Sequence, residues 1–162
     1  MILFAGCILA GFGLLFTPPV QSADAGFSQA LVKISHALIV RCGGHALVEG
    51  PVLRAPTGSF GVEMKDGCNG ANVTILLISA MLAFPASWKL RALGFLGGSL
   101  IIQSLNIVRF ISLFYIGQYS LFWFDFAHGY FWESLLLLDT MVVFWVWANR
   151  VCRAGNAANA SR

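Results

Sequence analysis

Apolar residues gather along this chain in four long runs separated by polar stretches, and these runs predict four membrane spans, at about 1–16, 68–84, 92–116 and 128–148. A bilayer core takes about 20 apolar residues to cross. The first run is therefore short and the second borderline, lengths that interfacial flanks or a locally thinned bilayer accommodate. The first run ends at Thr17-Pro18-Pro19. It reads as an anchor, with a cleaved signal peptide as the rival, since "SADA" offers an Ala-x-Ala site. Against the rival, no basic residue precedes the apolar run. Missing N-terminal charges are also what a start upstream of Met1 would leave.

Between the first two runs the pattern changes. In "FSQALVKISHALIVRCGG" the apolar residues Leu31, Ile34, Leu38 and Val40 alternate with polar ones, which predicts an amphipathic helix lying at a membrane interface. "HALVEGPVLRAPTGSFGVEMK" predicts two short strands joined by a Pro56-Thr57-Gly58 turn. The Ala/Asn-rich tail reads as disordered.

Composition agrees with the runs. Of 162 residues 58% are hydrophobic and only 10% charged, where a soluble domain carries roughly 25%; mean hydropathy is +0.78. The fold class expected is an all-α integral membrane protein, one domain over 1–162, with a small outer cap at 17–67. A net charge of +3 without a basic patch gives nucleic-acid binding no support. Cysteines at 7, 42, 68 and 152 form no CxxC and no metal-ligand spacing, and no cofactor or metal is expected. The loop "PASWKLR" and the tail "NRVCRAGNAANASR" carry Lys89, Arg91, Arg150, Arg153 and Arg162 and none of the seven acids. The positive-inside rule puts loop, tail and both termini in the cytoplasm, and residues 17–67 and 117–127 outside.

That topology brings three reactive side chains to one depth. Cys68 opens the second span, Arg109 lies late in the outward-running third, and His128 opens the fourth. At 100° per residue, Cys68, Asn72 and Ser79 fall within about 40°, and Gln103, Asn106 and Arg109 within about 120°. His128 and Asp139 differ by about 20° in phase, with Asp139 about 16 Å deeper. Polar groups in spanning helices face the bundle interior. Cys68 at a helix start would be favoured as a thiolate, with Gly67 and Gly70 admitting a substrate backbone. His128 would serve as base and then acid, and Arg109 would stabilise an oxyanion. Asn106 would hold Arg109 or the His128 ring; Asn72 shares the Cys68 face, and Asp125 would touch His128 from the loop. Each residue has a plainer reading. Cys68 serves as packing, or as half of a Cys42–Cys68 disulfide; Arg109 snorkels to headgroups; His128 binds a loop carbonyl. His36 and His45 read as surface residues of the outer segment, and Asp139 as an acid at a helix contact with no assigned role.

The stretches "DGCNG", "NIVR" and "AHGYFW" together resemble the exosortase/archaeosortase family of membrane cysteine transpeptidases. From about Pro18 to Arg150 the chain is similar in particular to the short form called exosortase H. The resemblance implies Cys68, Arg109 and His128 as the catalytic Cys, Arg and His. It implies substrates that are secreted proteins with a C-terminal motif of the Ile-Pro-Thr-Leu type, a transmembrane helix and a basic tail, cut on the periplasmic face of a bacterial inner membrane through a thioester. One departure stands out: Ala71-Asn72-Val73 follows "GCNG" where close relatives would carry an acid. Two rival functions remain at this point, an assembly factor binding partner helices and a thiol-redox protein using Cys42 and Cys68.

Overall fold

In the computed structural model the described residues are 18–160, apart from Ser59, Asp66 and Gly67, together with the isolated Gly6 and Gly13. The first predicted span, 1–16, thus lies outside the described residues. Helix α1 covers Pro18–Arg41, and strands β1 (Leu47–Glu49), β2 (Val52–Arg54) and β3 (Gly61–Glu63) follow. Then come α2 (Ala71–Ala83), α3 (Trp88–Tyr119) and α4 (Leu121–Phe126). A π-helical turn over Ala127–Phe131 joins α4 to α5 (Trp132–Ala160).

The amphipathic helix is present, but its faces differ from the expected pattern. Ser28, Leu31, Val32, Ser35 and Ile39 are buried, whereas Ile34, Leu38 and Val40 are exposed. Serine is tolerated on the inner face because its hydroxyl is bonded: Ser35 Oγ donates to the Leu31 carbonyl at 2.8 Å. Phe27, Ile34 and Leu38, at i, i+7 and i+11, form a second apolar stripe about 40° wide beside the buried one. His36 is half-buried rather than a surface residue, and its Nε2 lies 3.1 Å from the Ala46 carbonyl.

The sheet has three strands, one more than predicted. All are antiparallel in the order β1-β2-β3, with Val48 opposite Leu53 and Leu53 opposite Val62. The Pro56-Thr57-Gly58 turn joins β2 and β3 as expected. The missed hairpin turns at Gly50-Pro51, where Gly50 takes φ 61°, a left-handed conformation that suits glycine.

Two helical runs among the described residues are long and apolar enough to cross a membrane, Trp88–Tyr119 and Leu121–Ala154. They contain the predicted spans 92–116 and 128–148. The predicted span 68–84 is a 13-residue apolar helix, about 20 Å long. The predicted loop 117–127 is mostly helix: only Ser120 is extended, and α4 then runs straight into the fourth span. His128 therefore sits inside a continuous helical run, not at its start.

α3 organises the rest. Its buried residues Gly94, Gly98, Ile102, Asn106, Arg109, Phe110, Leu113, Phe114 and Gly117 form one seam at steps of three and four. The N-terminal half of that seam packs on Leu77, Met81, Trp147 and Val151 of α2 and α5. Towards the C-terminal half, Phe110 and Phe114 join a core with Leu31, Val32, Leu53 and Val62 from α1 and the sheet. Leu113 packs with Ala127 and Trp132 around the π-turn. The polar residues of the seam lie where these layers meet.

Candidate active site

Cys68 does not open α2 as predicted; it precedes it. Gly70 caps the helix at φ 78°, in the left-handed region, so helical geometry begins only at Ala71. The cysteine sits in a short turn whose backbone N–H donates to the Lys65 carbonyl at 2.9 Å. The helical phase relating Cys68, Asn72 and Ser79 consequently does not apply. What fixes the turn is Asn69, which is fully buried. Its Nδ2 donates to Asp24 Oδ1 at 2.5 Å and to Ser28 Oγ at 3.1 Å, while its Oδ1 accepts from Ala71 N–H at 3.0 Å. One side chain ties the cysteine turn to both α1 and α2. Sequence reasoning missed it; the only signal was an Asx residue just before a helix start.

His128 reaches the same place by a different device. In the π-turn the Trp132 N–H bonds to the Ala127 carbonyl, a step of five rather than four. Such a turn inserts an extra residue and shifts the phase of everything beyond it. The expected alignment of His128 with Asp139 is broken for this reason. The imidazole stacks on Phe124, with ring centroids 5.7 Å apart and planes at 24°. Asp125, expected to touch His128, is exposed, and no hydrogen bond joins the two. Phe124 orients the ring instead.

The result is one narrow cleft lined by Val62, Glu63, Cys68, Asn106, Arg109, Phe110, Leu113 and His128. Cys68 Sγ lies 3.7 Å from His128 Nε2, a long hydrogen bond of the kind sulfur makes. Arg109 is 6% exposed and so is held inside rather than snorkelling to a surface. Asn106 lines the cleft too, but it bonds neither Arg109 nor His128: both of its amide atoms are buried without a partner. Asn72 is half-buried and does not line the cleft. Gln103 points to Thr74, Nε2 to Oγ1, at 3.5 Å. The sheet contributes a wall, Val62 and Glu63, that the sequence did not reveal.

Cys42, Cys68 and Cys152 are free thiols, so the Cys42–Cys68 disulfide is absent; Cys7 lies outside the described residues. Among the described residues no group of three or more His, Cys, Asp and Glu gathers as a metal site would. Asp139 has one carboxylate oxygen buried without a partner and lines a groove between α3 and α5.

Two of the described helices are long and apolar enough to cross a membrane, and a third, shorter apolar one packs against them. The sequence profile of the transmembrane exosortases matches residues 1–148, and the chain belongs to that family. No curated protein and no solved structure matches it. The family is in general one of membrane cysteine proteases and transpeptidases acting on secreted proteins with C-terminal sorting signals.

Proposed function

We propose that the chain is a cysteine transpeptidase that cuts C-terminal sorting signals at the periplasmic face of the inner membrane, with Cys68, His128 and Arg109 as its catalytic residues. The observation that carries the reading is the 3.7 Å approach of Cys68 Sγ to His128 Nε2, in a cleft that buried Arg109 also lines. With Nε2 unprotonated, His128 takes the thiol proton as Sγ attacks the scissile carbonyl carbon. The carbonyl electrons move onto oxygen, whose charge faces the permanent cation of Arg109. As the intermediate collapses, the C–N bond breaks and the imidazolium gives its proton to the leaving amine. The acyl group remains as a thioester on Cys68. An amine, hydroxyl or water then attacks that thioester, with neutral His128 taking its proton, and the Cys68 thiol is restored.

The substrate is a secreted protein whose C-terminus carries a short motif of the Ile-Pro-Thr-Leu type, a transmembrane helix and a basic tail. Its helix would lie in the apolar groove of about 380 Å³ between α3 and α5, on which Gly97 opens. Small residues let helices approach closely in lipid. Anchoring in this way makes the cut effectively intramolecular.

The test is to co-express a tagged secreted protein with such a C-terminus and follow its size. Cys68→Ala, Arg109→Ala and His128→Ala should abolish processing, with Cys42→Ala equal to wild type. Undiminished processing by Cys68→Ala would leave the helix-binding assembly factor as the better reading, and equal losses from the two cysteine variants would favour redox chemistry.

A further inference from the structure

Asn106 is a buried polar side chain of the cleft that this chemistry leaves unused. It is 1% exposed, and neither Nδ2 nor Oδ1 has a hydrogen-bond partner. Buried amides are almost always satisfied, and an orphaned one costs folding free energy. An asparagine kept for structure would be bonded as Asn69 is, with three partners. Asn106 instead lines the cleft that holds Cys68, Arg109 and His128. It stands one helical turn before Arg109 on the seam of α3, beside the backbone that follows the cysteine. A Cβ placed on Gly70 would lie 3.5 Å from its Nδ2. A side chain at Gly70 would crowd this amide and Gln103 Nε2, at 3.2 Å, so the glycine lets the backbone after the nucleophile lie close to both.

We infer that Asn106 is a catalytic residue that contacts the substrate, its Nδ2 donating a hydrogen bond to the scissile carbonyl oxygen as that oxygen becomes an oxyanion. The inference rests on the transpeptidase reading of the same cleft. Arg109 supplies charge there; Asn106 supplies a directed, neutral donor in a buried site, the kind of group that stabilises a tetrahedral intermediate. Its Oδ1 accepts from a neighbouring peptide N–H, so one side chain matches both polar groups of an extended backbone. No covalent step is added: the thiolate attacks as before, and the amide bonds the oxygen that gains the electron pair.

The experiment compares Asn106→Leu, which keeps the branched shape and removes both orphan atoms, with Asn106→Asp, which keeps the shape and an acceptor but loses the NH₂ donor. Three readouts are taken in parallel with Cys68→Ala: pulse-chase processing of the co-expressed tagged substrate, thermal unfolding in detergent, and the rate of Cys68 alkylation by iodoacetamide. For Asn106→Leu the expected result is processing slowed about 100-fold or more. Its Tm should stay near wild type, since relief of the unpaired amide's burial cost offsets the larger side chain, and alkylation should stay within about twofold of wild type, since the Cys68–His128 contact is left in place. Asn106→Asp should lose processing to a similar extent. A wild-type processing rate in Asn106→Leu, while Cys68→Ala is dead, overturns the inference alone. So does a clear fall in Tm or a loss of alkylation, either of which makes Asn106 a structural residue. Processing that survives in Cys68→Ala overturns the transpeptidase reading and the inference with it.

Discussion

At the scale of single residues, Asn69 holds the cysteine turn against α1 and α2, and Phe124 stacks on the His128 ring. Cys68, Arg109 and His128 stand out in a sequence so poor in polar residues, and the structure brings all three to one cleft. Asn69 and Phe124 do not stand out, because what they do depends on partners 45 residues away or on a ring four positions along a helix. The expected helpers Asn72 and Asp125 were chosen by helical phase and loop proximity; the phase does not hold, whereas Asp125 does act on His128, through its charge rather than a hydrogen bond. Gly70 delays the start of α2, and the loop holding Asp125 is helix. If Asn69 is what holds the cysteine turn, Asn69→Ala should do more than open a cavity. It strands the half-buried carboxylate of Asp24 and the Ala71 N–H, at a cost of roughly 2 kcal/mol. The expected outcome is a lower Tm in detergent together with slower processing, and thermal melting beside the processing assay checks both.

At the scale of elements, the long helices declared themselves through hydropathy and through the 3.6-residue period of their buried seams. The π-turn did not, since an extra residue in one turn leaves no trace in composition. The first hairpin was missed because Gly50-Pro51 joins strands of only three residues each, too short for alternation to register. The glycines of α3 divide by environment in a way that sequence could not show. A Cβ on Gly98 would lie 2.6 Å from Leu77 Cδ2, whereas at Gly97 nothing lies within 4 Å. Gly98 thus lines the groove while packed tightly against α2, and Ser99 does not line the groove. Gly98→Leu should destabilise the protein by roughly 1–3 kcal/mol through overpacking. Gly97→Leu should leave Tm unchanged or raised, yet slow processing by crowding the groove proposed for the substrate helix. Melting curves and processing of the two variants, compared directly, separate the roles.

At the scale of the whole molecule, the division of labour follows from where apolar surface is buried. Near its N-terminus α3 binds α2 and α5 through apolar packing and a hydrogen bond from Trp147 Nε1 to the Leu90 carbonyl, while its C-terminal part gathers α1, the sheet and the π-turn around the polar residues. The cleft is built from five separate parts of the chain (β3, the cysteine turn, α3, the π-turn and, through Asn69, α1), which is why no single motif reveals it. Each part is short or ordinary on its own, and only tertiary packing unites them. If the united cleft does the chemistry proposed, its intermediate is a covalent one at a known atom. The most direct measurement is mass spectrometry of enzyme isolated from cells expressing the tagged substrate. The account predicts a substrate-derived acyl group on Cys68, released by hydroxylamine and lost with Cys68→Ala; continued processing with no such adduct, or an adduct carried by a different residue, would contradict it.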